Sequence, residues 1–255
     1  MRIHSGAFAF CRTVLPVFAA LVAASPALLA QAPEDAAPRQ SFFRRFSIGG
    51  RLSVLGKALM NDADYSTSTT SPALSTTIKT ISKAQRVGGG ATASFEVRPW
   101  LSIGADLIFR NTGYERTSSF VAGTTTTTTT SEVENTRGRY WDVPVLARVY
   151  VREEGVSVAR PFITAGGAYR RVAKIHTLKE FTLANGASDT SLAPVAPGHR
   201  SVTGFVVGAG LQLEDELGFK YTPEFRYTRW PQRTFDNNPT VSGKNQIEFV
   251  FGFTF

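Results

Sequence analysis

The chain has 255 residues, with 28 Lys+Arg against 20 Asp+Glu for a formal charge of +8, 42% hydrophobic residues and 19% charged ones. It is too apolar and too weakly charged to be disordered, and it has the size of one large domain or two small ones. Its single cysteine, Cys11, excludes an internal disulfide framework and a cysteine-ligated zinc cluster.

Residues 1–30 have the order of a secretory signal peptide. Arg2, His4 and Arg12 come with no acid, an apolar stretch runs from Val14 to Ala24, and small residues precede a polar, Pro- and Ala-rich segment at 31–40. Cleavage is placed after Ala30, with Ala24 as the alternative. The stretch is too short to span a bilayer and contains Pro16. The mature chain then has no cysteine and carries 26 basic against 20 acidic residues, because two arginines leave with the signal. For an exported protein that excess points to an anionic membrane surface and not to nucleic acid. Residues 31–41 are expected as a periplasmic linker and 42–255 as one domain.

Beyond the signal no segment offers the roughly 18 apolar residues of a membrane helix. Apolar residues recur instead at every second position, the period of a strand. In chain order, Phe46, Ile48, Leu52 and Val54 alternate with Ser47, Gly49, Arg51 and Ser53. Ala91, Ala93, Phe95 and Val97 alternate with Thr92, Ser94 and Glu96, and Leu101, Ile103, Ala105, Leu107 and Phe109 with Ser102, Gly104, Asp106 and Arg110. Trp141, Val143, Val145, Ala147 and Val149 alternate with Asp142, Arg148 and Tyr150. Segment 160–175 is noisier, but Ile163, Ala165 and Tyr169 can share a face opposite Thr164, Gly166 and Arg170. Phe205, Val207, Ala209, Leu211 and Leu213 alternate with Gly204, Gly208, Gly210 and Gln212, and Phe219, Tyr221, Phe225 and Tyr227 with Lys220, Thr222, Glu224 and Arg226. In the last segment Ile247, Phe249, Phe251, Phe253 and Phe255 are apolar, and of the interleaved residues only Val250 breaks the pattern.

That is an all-β chain of about eight strands, each of about 9–11 residues or longer, the length of a tilted membrane strand. Short connections at 98–100, 152–159 and 214–218 alternate with long ones at about 57–84, 116–138, 177–199 and 231–244. This is the pattern of an up-and-down transmembrane barrel with short periplasmic turns and long extracellular loops. A soluble sandwich or lipocalin-like barrel would also alternate. The Gly, Ser and Thr that crowd the polar parity favour the membrane reading, as do aromatics at strand ends, Trp100, Tyr140, Trp141 and Trp230.

The polar parity assigns Arg51, Arg98, Arg110, Arg148, Arg170 and Arg226 to the lumen, with Glu96, Asp106, Asp142, Glu214, Glu224 and Glu248, and the signs balance. Desolvated charges must be paired, and an eight-strand barrel is only wide enough for its own side chains, so a plugged interior is expected. Arg226 is expected near Glu224 and Glu248.

Tyr140-Trp141-Asp142-Val143-Pro144-Val145-Leu146, the strand opening at Arg160-Pro161-Phe162-Ile163-Thr164-Ala165-Gly166-Gly167, and the closing Ile247–Phe255 resemble the bacterial outer-membrane β-barrel domain family, similar to the small OmpA/OmpX-type barrels. The resemblance covers most of residues 42–255. It implies residence in the outer membrane and insertion by the barrel assembly machinery, with Phe251, Phe253 and Phe255 as the assembly signal. The sequence departs from the family at Val250, where a glycine is often found.

The Ser/Thr-rich stretch 66–82 and the Thr run 124–130 are read as solvated loops, with adhesion or glycosylation as the functional alternative. Gly88-Gly89-Gly90 has no Lys-Ser/Thr or helix after it, so it is not a phosphate loop; it is expected to bend a strand or admit a large lumen side chain. Basic residues including Arg110, Arg139, Arg170, Arg171, Arg200 and Arg229 crowd the expected outer rim. Arg170, Arg171 and Arg200 are the candidates for contact with lipopolysaccharide phosphates. His199 and Ser201 lie two apart on one strand face and resemble the His-x-Ser pair of the outer-membrane lipid A deacylase, which gives an esterase alternative with Glu180 orienting the histidine. A narrow channel is the third possibility. The main expectation is a non-enzymatic structural or surface-interaction protein with no cofactor, whose partners are outer-membrane lipid, lipopolysaccharide and the assembly machinery.

Overall fold

A computed structural model describes residues 45–70, 73–122, 128–151, 159–183, 185–192, 197–237 and 240–255. The expected signal peptide and linker, the expected short connection at 152–158 and positions 124–127 of the Thr run lie outside the described residues. The strands are β1 (Phe46–Leu55), β2 (Ala63–Thr70), β3 (Ala73–Ser82), β4 (Val87–Arg98), β5 (Leu101–Ala122), β6 (Thr128–Tyr150), β7 (Ala159–Thr182), β8 (Ser188–Leu192), β9 (Ser201–Glu214), β10 (Lys220–Arg229), β11 (Asp236–Asn237), β12 (Thr240–Val241) and β13 (Asn245–Thr254).

Eight of these form a closed antiparallel barrel in the order β1-β4-β5-β6-β7-β9-β10-β13. The ring shuts where β13 pairs with β1, with Leu52 opposite Phe251 and Val54 opposite Phe249. Phe255 and Ile48 exchange backbone hydrogen bonds at 3.1 and 3.2 Å just past the last paired residues. The turns at one end are tight. β4 passes to β5 through Pro99 and Trp100, and between β9 and β10 the Asp215 carboxylate accepts from the backbone N–H of Leu217 (3.0 Å) and Phe219 (2.9 Å). Gly218 takes φ 84° in that turn, a conformation few other residues tolerate.

The side chains are arranged as in no soluble barrel. Along β1, Phe46, Ile48, Leu52 and Val54 are exposed while Ser47, Arg51 and Ser53 are buried. Along β13, Phe249, Phe251 and Phe253 face out while Gln246, Glu248 and Val250 face in. A lipocalin-like barrel would turn the apolar parity inward. Here the outer surface is suited to hydrocarbon and the interior is polar. Among the expected interfacial aromatics, Trp100 and Trp141 are exposed, Trp141 packing edge-on to Phe109 with ring centroids 4.5 Å apart. Tyr140 and Trp230 are a correction: both point into the barrel and are almost wholly buried, because they stand on the inward parity of β6 and just beyond β10.

The long connections are also corrected. Those at 57–84, 116–138 and 177–199 hold long stretches of strand in place of solvated loop, whereas 231–244 contains only the two short strands β11 and β12. β5, β6 and β7 run for 22, 23 and 24 residues, about twice the length needed to cross a bilayer. Their outer halves continue pairing above the barrel and are joined by β3 against β5, β2 against β3, and β8 against β7. The result is a six-stranded sheet rising past one end of the barrel, β2-β3-β5-β6-β7-β8. Residues 66–70 and 73–82 lie within it, as β-branched Thr favours strand once a neighbour offers a ladder to join.

Inward-facing glycines set how closely the strands can approach. A Cβ built on Gly90 would lie 1.7 Å from the Leu107 carbonyl oxygen, whereas on outward-facing Gly50 it would meet nothing closer than 3.9 Å. Gly90→Ala is therefore expected to reduce sharply the folded, heat-modifiable band on an unheated gel, at a cost of about 1–3 kcal/mol or more. Gly50→Ala should leave that band unchanged.

Candidate functional site

The alternation that turns apolar residues outward sends seven cations into the barrel, Arg51, Arg110, Arg148, Arg160, Arg170, Arg226 and Lys220, with five acids, Glu96, Asp106, Asp142, Glu224 and Glu248, all of them buried. They sort into three levels. Nearest the short turns, Glu96 lies 3.5 Å from Arg160 and 3.7 Å from Lys220, and the Arg160 guanidinium sits 4.2 Å from the Tyr150 ring centroid. Tyr150 donates to Gln212 at 2.7 Å across the same level.

At the middle level Arg226 grips Glu224 with two parallel bonds of 2.8 Å and reaches Asp106 at 2.7 Å. Arg51 lies 3.3 Å from Asp106 and donates to Thr222 at 2.9 Å, and Thr92 donates to Asp106 at 2.6 Å. Arg148 approaches Glu224 at 3.8 Å and stacks on Phe162 at 5.6 Å. The glycines of β9 and β13 make room for these forks: a Cβ on Gly252 would lie 2.3 Å from the Arg51 guanidinium, and one on Gly208 would lie 3.3 Å from Arg226.

At the upper level Arg110 bridges Asp142, Glu248 and Ser53, and Ser53 in turn donates to Glu248 at 2.7 Å. Arg170 holds the other side of Asp142 through bonds of 2.6 and 2.8 Å. It is sandwiched between the rings of Tyr140 (4.7 Å) and Trp230 (4.3 Å) and donates to Gln246, which also accepts from the Trp230 indole at 3.2 Å. Above this level an apolar cluster of Leu55, Leu59, Met60, Tyr114, Tyr140, Val172 and Phe235 is buried over the mouth. It is pinned by a Met60–Ser242 bridge and by Gly243 N–H donating to the Leu59 carbonyl at 2.8 Å.

Arg51, Glu96, Asp106, Arg110, Asp142, Arg148, Glu224, Arg226 and Glu248 are thus brought together inside the barrel. Arg226 stands beside Glu224 and directly opposite Glu248, as the alternation suggests, but takes Asp106 as its second ion-pair partner, while Glu248 pairs with Arg110. Several placements differ from the sequence reading. Arg170 is no rim residue: its parity on β7 is inward and it is buried on Asp142. Arg110, assigned from sequence to both the lumen and the rim, is likewise interior, as its parity requires. Arg98 is exposed beside a register shift between Glu96 and Arg98, and Glu214 is only half-buried at the strand end, so neither joins the network. Arg160 and Lys220 enter it in their place, and the interior charges no longer balance but carry a positive excess. Period-two spacing already put both on the polar parity. The cap was harder to foresee, its only signal being Leu59, Met60 and Phe235 within otherwise polar connections.

Arg171 and Arg200 are exposed near the start of β9, and Phe251, Phe253 and Phe255 face outward on the closing strand. His199 and Ser201 are both exposed but have separate partners. The His199 ring Nδ1 lies 3.1 Å from the Arg233 carbonyl, and the Ser201 hydroxyl accepts from Tyr169 at 2.9 Å. No cluster of three or more His, Cys, Asp or Glu able to hold a metal occurs among the described residues.

Removing one member of the network leaves its partners buried and uncompensated. Arg226→Met strands Asp106 and Glu224 and is expected to cost about 3–5 kcal/mol in urea unfolding from lipid vesicles. Adding Glu224→Gln should return part of that loss, and equal losses in the single and double variants would contradict the pairing.

No protein-family model matches the chain, and no curated protein matches it. Among solved structures, the outer membrane protein OprG from Pseudomonas aeruginosa aligns over 82% of this chain and 95% of its own, at 13% identity and a TM-score of 0.45. Neisserial surface protein A aligns over 82% and 94%, at 10% identity and a TM-score of 0.39. The attachment invasion locus protein Ail of Yersinia pestis aligns over 82% and 96%, at 14% identity and a TM-score of 0.36. By its own strand pairing the chain is an eight-strand antiparallel β-barrel, and these small barrels are what it is similar to.

Proposed function

We propose that this chain is a non-enzymatic barrel of the bacterial outer membrane, exported on a cleaved signal peptide. It has a plugged lumen and presents a strand-built extracellular surface for interaction. The observation that carries this reading is the inversion of the barrel. A continuous apolar exterior would be intolerable in water, and a charged interior of interlocked guanidinia and carboxylates leaves the side chains no reason to part. Three stacked levels of paired charges beneath an apolar cap argue against a channel. The esterase alternative has less support, since a serine nucleophile needs its histidine base within hydrogen-bond reach and His199 is engaged by Arg233. Phe251, Phe253 and Phe255, exposed on the closing strand, suit capture by the barrel assembly machinery. Arg171 and Arg200, exposed above the apolar belt, suit the phosphates of lipopolysaccharide.

Fractionated cells should yield the protein in the outer membrane as a band whose mobility changes on heating. The purified protein should show no steady conductance in a planar bilayer. A soluble periplasmic band without a shift would sink the membrane reading, and stable channels would sink the plugged lumen. Arg171→Gln with Arg200→Gln should lower the lipopolysaccharide phosphate retained through purification, by about threefold to tenfold for two exposed charge-assisted contacts.

A further inference from the structure

Two cavities lie one above the other on the outer face of the barrel, where β3 gives way to β4 beside β5. The lower is a groove of about 590 Å³ walled by Leu52, Val87 and Phe109, with Arg86 and Arg139 at its upper edge. The upper, of about 420 Å³, is lined by Lys83, Arg137 and Asn135. Gln85 and Asn111, bonded to each other at 3.1 Å, border both, so the two form one slot.

The slot has a structural origin. Residues 83–86 leave regular strand between β3 and β4, although Lys83 N–H and Gln85 N–H still donate to the carbonyls of Gly113 (2.9 Å) and Asn111 (3.1 Å). The barrel wall is therefore closed by backbone but notched in its side-chain layer. Below the notch, Gly89 stands between Leu52 and Phe109 in the outward register, with Gly50 and Ala91 in the next row down. Neither glycine is demanded by the backbone. A Cβ on Gly89 would meet nothing closer than 3.7 Å, unlike one on inward-facing Gly88, which would lie 2.4 Å from Arg110. What glycine at position 89 does is leave the lipid-facing surface concave.

The charges at the slot are uncommitted. Arg86, Arg137 and Arg139 have no side-chain hydrogen bond and no ion pair among the described residues, in contrast to the ion-paired arginines Arg110 and Arg170 of the interior. Lys83 is half-exposed and meets only Glu115, at 3.4 Å. The chemistry is graded along the barrel axis. An apolar trough lies at the depth of the aromatic pair Phe109–Trp141, guanidinia stand directly above it, and the amides Asn111, Asn135 and Gln85 stand with them and beyond. An acyl chain fits the trough, a phosphate suits the guanidinium forks, and sugar hydroxyls suit the amides.

We infer that this slot binds one phosphorylated, acylated sugar, the lipid A portion of lipopolysaccharide, with an acyl chain along Gly89 and a phosphate between Arg86 and Arg139. The inference rests on the outer-membrane reading. It names residues on β4, β5 and β6 and the segment before β4, apart from the Arg171 and Arg200 of that reading.

The test is native mass spectrometry of the full chain released from outer membranes in mild detergent, with lipid A, phosphatidylglycerol and inorganic phosphate as probes. The wild-type barrel is expected to retain one lipid A in preference to phosphatidylglycerol, and to hold no inorganic phosphate. Gly89→Leu, which fills the trough where a side chain has room, should lower lipid A occupancy about tenfold, as should Arg86→Gln with Arg139→Gln. Arg98→Gln, at the opposite end of the barrel, should change nothing. Undiminished lipid A in both slot variants would overturn the site. Equal retention of phosphatidylglycerol would overturn the sugar assignment, and inorganic phosphate bound as well as lipid A would reduce the slot to an anion site. A chain absent from the outer membrane would overturn this inference together with the membrane reading, whereas an inserted, heat-modifiable barrel that holds no lipid A overturns the inference alone.

Discussion

A backbone that crosses hydrocarbon must find every hydrogen-bond partner within itself, since lipid offers none. The pairing of β13 with β1 meets this demand, and the rest of the structure depends on it. Seven residue pairs join the last strand to the first and remove the two free edges that the open sheet would have. Closure also decides the interior. A ring of eight strands encloses a space that one layer of side chains can fill, so every inward residue must fit against residues from strands far away in sequence.

The interior charges follow from that geometry. Bare burial of a guanidinium is prohibitive, and opposed charge together with hydrogen-bonded acceptors is the condition for its presence. Arg226, Arg110 and Arg170 each meet this condition with two acceptors or more. Aromatic faces help where carboxylate contacts are longer: Arg148 and Arg160 meet Glu224 and Glu96 at 3.8 and 3.5 Å and lie over Phe162 and Tyr150. The glycines opposite these forks are the counterpart of their bulk, the space left in one strand for a side chain from another.

The barrel is uneven around its rim, and this shapes the surface that rises beyond it. β1, β10 and β13 stop after ten residues, while β5, β6 and β7 rise well past them and recruit β2, β3 and β8. Where the recruited hairpin ends and β4 begins, the side-chain layer is interrupted, and the notched slot is the consequence. The cap over the lumen comes from the same asymmetry, because connections from the short strands fold across the mouth and bury Leu59, Met60 and Phe235 against the tall ones.

Much of the fold was legible before any coordinates. Period-two alternation alone determined which residues of each barrel strand face lipid and which face the lumen, and turn residues such as Pro99 and Asp215 marked the short ends. It placed Arg170 inside too, where the crowding of positive charge near strand ends wrongly suggested a rim, while Arg160 and Lys220, on the same parity, went unassigned and Arg98 and Glu214 at strand ends were assigned inward in error. Only the tertiary structure decided who pairs with whom. Arg110 meets Glu248 across 138 positions and Arg51 meets Thr222 across 171. It also decided that the Ser/Thr-rich residues 66–70 and 73–82 are strand, since their own pattern is silent until a neighbouring edge offers hydrogen bonds. The reason is physical. A strand's sequence sets the side to which each side chain points, but the partner and the height at which it meets that partner are set by register and closure, which are properties of all eight strands together.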